Sequence, residues 1–85
     1  MTHPDPATAY QSASAAYAAK RHAEARDLAE AVVAADPGHW QAWQLLGNSR
    51  YALGDRAGAL VAYRTSLELH PDNPALKTFA DSLAP

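Results

Sequence analysis

The sequence predicts an all-α protein built from helices that alternate with tight turns. Apolar or small residues recur at helical spacing in two sets, which are separated by the turn signal Gly54-Asp55. The first set is Trp40, Trp43, Leu46, Gly47 and Tyr51, and the second is Ala59, Ala62, Tyr63, Ser66 and Leu67. Each set marks one face of a helix, so residues 40–73 are predicted to form two antiparallel helices closed by His70-Pro71.

Residues in this stretch match residues earlier in the chain, always at the same sequence interval. The matching pairs are Tyr17 with Tyr51, Ala25 with Ala59, Val33 with Leu67, and Pro37 with Pro71. This repeat period predicts an earlier helix pair over residues 6–39, with an alanine-rich first helix and a second helix over about 22–35. Asp5 as N-cap and Pro6 at the first helical position mark the start of the first helix.

The turn of the earlier pair has different local chemistry. Lys20-Arg21 lies one repeat period before Gly54-Asp55. Glycine enters the left-handed conformation after a helix without a steric penalty, whereas a lysine in that conformation costs about 1 kcal/mol. We therefore expect the first turn to differ in shape from the second, or the first helix to continue through Lys20.

A short final helix is predicted over about residues 74–83. Asn73-Pro74 repeats the pattern of an N-cap followed by proline at the first helical position. Leu76, Phe79, Ala80 and Leu83 then mark one face. Because no partner helix follows before Pro85, we expect this helix to cap the apolar side of the preceding pair.

Residues 40–73 resemble a tetratricopeptide repeat, whose pattern is W-x2-L-G-x2-Y, then A-x3-F, then P. The matching residues are Trp43, Leu46, Gly47, Ala59, Tyr63 in place of phenylalanine, and Pro71, while Arg50 stands where the pattern has tyrosine. Residues 6–39 resemble a degenerate copy. The resemblance implies an all-α helix-turn-helix solenoid of five helices in one domain, 1–85, with two repeats and a capping helix. It also implies a protein-interaction module.

The resemblance further implies a binding site. In this family the first helices of successive repeats line a concave groove that receives a peptide or a helix of another protein. The groove positions, transferred residue by residue, are Tyr10, Ser14, Tyr17, Gln41, Gln44, Asn48, Tyr51 and Thr78, with Ala7, Ala75 and Ser82 in the same columns. Amides and hydroxyls can bind the backbone of an extended peptide, and tyrosine rings supply flat apolar area. Alternatively these side chains form an ordinary solvated face, with Tyr17 and Tyr51 as half-buried packing residues.

The expected groove is uncharged. Related domains that grip a C-terminal carboxylate use lysine and arginine beside asparagine, but here Asn48 has no such neighbours and Leu45 lies next to the columns. A carboxylate clamp is therefore not expected. An alternative function is a self-assembling structural piece in which another copy fills the groove or an open end. The flat alanine surface of the first helix would permit weak homodimerisation.

Composition argues against several other partners. The 85 residues carry a formal net charge of −2 and no basic stripe, so nucleic-acid binding is not expected. No segment approaches the roughly 20 apolar residues of a membrane span, and MTHPDPATAY does not resemble a secretory signal. The default expectation is therefore a cytoplasmic protein with a protein partner and no membrane contact.

No residue pattern predicts an enzyme, a metal site or a cofactor. The histidines at 3, 22, 39 and 70 form no convincing ligand pair on a predicted helix face and are expected at the surface. The serines lie inside predicted helices without a nucleophile elbow, and Ser12 and Ser66 are predicted to be small packing residues. Trp43 is predicted to lie in the core, and Trp40 to be partly exposed, rather than to form a ligand-stacking pair.

Overall fold

The computed structural model describes the backbone of residues 6–85 and the side chains from residue 8 onward. This part of the chain forms five α-helices: α1 (Pro6–Ala18), α2 (His22–Ala35), α3 (Trp40–Ala52), α4 (Arg56–Leu69) and α5 (Pro74–Leu83). Helices α1 and α2 pack as one pair and α3 and α4 as a second, while α2 contacts α3 and α5 contacts α4. The predicted repeat architecture with a capping helix is confirmed. The predicted N-cap Asp5 lies outside the described residues.

Two clusters of buried side chains hold the helices together. The first joins α1, α2 and α3 and consists of Ala13, Ala29, Val32, Val33, Ala42, Leu45, Leu46 and Ala62 of α4. The second joins α4 to α5 and consists of Ala59, Leu60, Tyr63, Leu76 and Ala80. Alanine supplies little apolar area, but it allows close helix packing. In the second cluster, α5 contributes Leu76 and Ala80, which pack with the residues of α4.

The packing of α3 on α4 requires a glycine at position 47. A Cβ atom added to Gly47 would lie 2.5 Å from ring atoms of Tyr63, whose side chain is fully buried. Buried Ser66 donates a hydrogen bond from Oγ to the carbonyl oxygen of Trp40 at 2.9 Å and so joins α4 to the start of α3. The prediction for Ser66 is confirmed. Ser12, in contrast, is exposed, because Ala13 and Ala16 form the buried face of α1.

The two turns within the helix pairs have the same backbone conformation. Lys20 has a φ of 64° and Gly54 a φ of 88°. In both turns the left-handed residue and the one after it donate to carbonyl oxygens of the last helical turn, as in a Schellman motif. These bonds are Lys20 to Tyr17 (2.9 Å) and Arg21 to Ala16 (2.9 Å), and Gly54 to Tyr51 (3.0 Å) and Asp55 to Arg50 (2.9 Å). The expectation of a different turn or a longer first helix was wrong, because packing of α1 on α2 outweighs the local penalty at Lys20.

The starts of the second helices differ in their capping. The side chain of Asp55 accepts a hydrogen bond from the backbone N–H of Gly58 at 2.9 Å and caps α4. Arg21 occupies the same position before α2 and makes no side-chain capping bond. Its guanidinium instead pairs with exposed Glu24 at 3.1 Å. A basic residue at a helix N-terminus is also unfavourable for the helix dipole. The first repeat therefore carries two unfavourable residues in one turn.

The exposed side of α5 carries an ion pair. Lys77 and Asp81 lie one repeat period after Trp43 and Gly47 of α3. They form an ion pair at 3.1 Å in which both side chains are about two-thirds exposed, at 67% and 69%. Gly47 receives a partner helix, whereas the equivalent position in α5 carries a solvated charge. This surface is therefore unsuited to stacking of another apolar helix face.

Replacing Lys20-Arg21 by Gly-Asp should stabilise the protein, because it introduces the turn residues of the second repeat. We expect the free energy of unfolding to rise by about 1–2 kcal/mol from the new cap and the relieved Lys20 strain, partly offset by the more flexible unfolded chain. Gly54→Ala should lower it by about 1 kcal/mol. Urea unfolding measures both changes. A double variant less stable than the wild type would contradict this account of the turn.

Truncation after Asn73 should cause association and loss of stability. It removes Leu76 and Ala80 from the second cluster and exposes Leu60 and Tyr63 of α4. Size-exclusion chromatography with light scattering and a thermal melt would show dimers or aggregates and a lower Tm. A chain lacking only the exposed Pro85 is the control. A truncated chain that stays monomeric with an unchanged Tm would disprove the capping role.

Candidate functional site

A cleft of about 300 Å³ lies between α1 and α3, the first helices of the two repeats. Its lining residues are Tyr10, Trp40, Gln41, Gln44, Leu45 and Asn48. Four of them belong to the predicted groove, whereas Trp40 and Leu45 do not. None of the six carries a charge. We refer to this feature as the α1–α3 cleft.

The residues of the cleft differ in burial. Leu45 is 7% exposed and belongs to the first core cluster, so the cleft has a well-anchored apolar surface. Tyr10 and Trp40 are half-buried. Gln41 is exposed, and its amide makes no hydrogen bond to any other described residue. The cleft thus combines a fixed apolar part with a free amide.

Two histidines support the aromatic rings of the cleft. The rings of Trp40 and His70 are stacked, with centroids 4.0 Å apart and planes 8° apart. The centroids of Tyr10 and His39 lie 4.8 Å apart. Since His70 covers one face of the indole, only the other face or the ring edge can line the cleft. His39 and His70 were expected to be surface residues; both are half-buried and hold these rings in place.

His39 also fixes the start of α3. Its Nδ1 atom accepts a hydrogen bond from the backbone N–H of Ala42 at 3.2 Å, which is an N-cap interaction. Trp43, one turn into the helix, was predicted to lie in the core; it is half-buried and packs against the first core cluster. Its Nε1 donates a hydrogen bond to the carbonyl oxygen of Pro37 at 2.8 Å. These two hydrogen bonds fix the start of α3, and Trp40 and Gln41 therefore lie on a well-defined first turn.

Two amides of the cleft are also structural. The side-chain oxygen of Asn48 accepts a hydrogen bond from the hydroxyl of Tyr63 at 2.6 Å. That of Gln44 accepts one from the amide of Asn73 at 3.3 Å, and Asn73 in turn caps α5. Their carbonyl oxygens are therefore engaged, and the NH₂ groups remain as donors for a ligand.

The other four predicted groove residues lie outside the cleft. Ser14 and Thr78 are exposed. Half-buried Tyr17 packs against the first core cluster and forms an edge-to-face pair with His22, with ring centroids 5.3 Å apart. Tyr51, which is 41% exposed, forms an edge-to-face pair with Phe79, with ring centroids 5.2 Å apart. Both tyrosines thus make packing contacts, and a binding role for these four residues stays a prediction.

Burial raises the pKa of Tyr63 to about 12, with smaller contributions from Tyr17 and Tyr51 nearby. The hydroxyl therefore stays protonated above pH 10, where an ordinary tyrosine ionises, and remains a donor to Asn48. This bond from α4 orients the amide of a cleft residue. The sequence pattern identified Tyr63 only as a packing residue.

Arg50 fills the position where the repeat pattern has a tyrosine. Its guanidinium donates to the carbonyl oxygen of Gly58 in α4 and pairs with Glu30 in α2, both at 3.2 Å. One side chain thus bridges three helices. Arg50 lies outside the cleft lining. Having arginine instead of tyrosine at this position therefore links the helices and does not introduce charge into the site.

Across residues 6–85, no group of three or more histidine, cysteine, aspartate or glutamate side chains is placed to hold a metal ion. None of the helices in this range is long and apolar enough to cross a membrane.

The fold and the cleft define an α-helical repeat protein with a candidate binding surface on its first helices. A family model for the tetratricopeptide repeat matches residues 16–83, and the chain belongs to this family. It is 38% identical over 48 residues to mouse (Mus musculus) "Tetratricopeptide repeat protein 33", a match that covers 56% of the chain and 18% of that protein. Tetratricopeptide repeat proteins generally serve as non-catalytic protein-interaction modules.

Raising the pH from about 10 to about 12 should destabilise the protein through Tyr63. In this window the unfolded chain, with an ordinary tyrosine pKa near 10, releases a proton that the folded protein retains. Stability contributed by the protonated hydroxyl is therefore complete below about pH 10 and is lost as the pH rises towards 12. Tyr63→Phe should flatten this part of the profile. Urea unfolding at several pH values measures both slopes, and equal slopes would contradict the assignment.

Proposed function

We propose that this chain is a protein-interaction module that holds a peptide or helix of a partner protein along the first helices of its repeats. The observation that carries the proposal is the meeting of Tyr10, Gln41, Gln44 and Asn48 in the uncharged α1–α3 cleft. Family membership supports an interaction role in general. We assign residues 1–85 to a single domain, with repeats at 6–39 and 40–73.

The cleft offers suitable groups for a polypeptide backbone. The NH₂ groups of Gln44 and Asn48 and the free amide of Gln41 can donate to carbonyl oxygens of an extended segment. A hydrogen bond of this kind contributes about 1 kcal/mol net. Leu45 and the two aromatic rings supply apolar contact area. Because no lining residue is charged, binding should depend only weakly on salt.

A second candidate function is self-assembly. Val61 and Leu69 lie eight residues apart on α4 and are 59% and 44% exposed. At this spacing they share one side of the helix. Another copy of the chain could cover this apolar side or the alanine surface of α1. Light scattering over a range of concentrations separates the candidates, since self-assembly requires a mass above that of the monomer.

Peptides selected from a random display library on the wild-type protein should lose affinity when cleft amides are removed. Gln41→Ala is the cleanest variant, because this amide has no partner in the described chain. We expect Gln41→Ala and Gln44→Ala each to weaken binding about threefold to tenfold. Raising salt from about 0.1 M to about 1 M should change Kd less than about threefold.

Arg64→Ala on the exposed side of α4 is the matched control. Asn48→Ala is less suitable, since it leaves the buried hydroxyl of Tyr63 without its acceptor and should itself lower stability by about 1–3 kcal/mol. Selected peptides that bind both glutamine variants normally but fail to bind Arg64→Ala would place the binding surface elsewhere.

A further inference from the structure

We propose that the α1–α3 cleft is a subsite for one uncharged aromatic side chain of the partner segment. This inference rests on the proposed function and specifies the chemistry of the partner. Its basis is the combination of two braced aromatic rings, a buried leucine and three amides around a small volume without any charged lining residue.

The size of the cleft favours a single side chain. Ligand pockets usually range from about 300 to 1,000 Å³, and this cleft, at about 300 Å³, lies at the lower end. A helix about 10 Å across does not fit within such a volume. One large side chain of an extended segment does fit, and its backbone would then lie near the amides of Gln41 and Gln44.

The rings of the cleft favour an aromatic side chain over an aliphatic one. Aromatic pairs in edge-to-face or offset geometry gain affinity beyond the area they bury. His70 holds the ring of Trp40, and His39 lies against the ring of Tyr10, before any ligand arrives. Ordering these rings on binding therefore loses little conformational entropy. Leu45 completes the apolar contact.

The uncharged lining of the cleft disfavours charged side chains as ligands. A cationic side chain could gain a cation–π contact with Trp40 or Tyr10, but the cleft lining contains no carboxylate to neutralise it. A carboxylate would lose its hydration without a lysine or arginine to pair with. A neutral ring avoids both penalties.

The test uses three small probes: the N-acetyl, N-methylamide derivatives of phenylalanine, leucine and lysine. In NMR titrations the indole N–H of Trp40 reports the cleft, and that of Trp43 is an internal control, because Trp43 is bound to Pro37 and does not line the cleft. The phenylalanine probe should shift the Trp40 signal saturably and bind about threefold to tenfold more tightly than the leucine probe. The lysine probe should bind more weakly than both.

Variants at Tyr10 complete the test. Tyr10→Leu keeps apolar volume but leaves Trp40 as the ring that lines the cleft, so it should reduce the preference for phenylalanine, whereas Tyr10→Phe should retain it in full. Tyr51→Leu changes a ring outside the cleft and should also retain it. Circular dichroism verifies that each variant is folded. An equal response to the phenylalanine and leucine probes, or an unchanged preference in Tyr10→Leu, would overturn the inference.

The outcomes separate this inference from the proposed function. Displayed peptides that lose affinity in Gln41→Ala but bind Tyr10→Leu normally would support the groove and reject the aromatic subsite. Displayed peptides that bind both Gln41→Ala and Gln44→Ala with unchanged affinity would reject the groove, whatever the small probes show.

Discussion

The contact of Tyr63 with Gly47 and Asn48 is the interaction on which the rest of the structure depends. The ring lies where any side chain on Gly47 would collide, and so sets the close approach of α3 and α4. Its hydroxyl donates to Asn48 in the cleft, and its ring forms an edge-to-face pair with Phe79 of α5 at a centroid distance of 5.7 Å. One buried side chain thus connects the helix pair, the capping helix and the candidate site.

This arrangement gives the cleft a rigid frame. The side-chain oxygen of Asn48 accepts a hydrogen bond from α4, and that of Gln44 accepts one from the N-cap residue of α5. Each amide retains an NH₂ donor for a ligand. His39 and His70 hold the aromatic rings on the other side. A partner would meet groups that are already ordered, so little of its binding free energy is lost in ordering them.

The two repeats reach the same geometry with different local chemistry. The second has a left-handed glycine and an aspartate cap, while the first has Lys20 and Arg21 at the same positions. The penalties of about 1 kcal/mol at a turn are smaller than the gain from burying the facing helix surfaces. Packing of α1 on α2 therefore imposes the same turn on the first repeat, although the local preference of Lys20 disfavours it.

The sequence by itself determined the helices, the repeat period and the family, because apolar spacing, proline at helix starts and the repeat pattern are local or periodic signals. It also placed four cleft residues on facing helices. The tertiary structure alone decided the left-handed Lys20, the exposure of Ser12, the contribution of Trp40 to the cleft and the stacking of His70 on it. These features depend on helix rotation and on contacts between residues far apart in the chain, which periodicity does not encode.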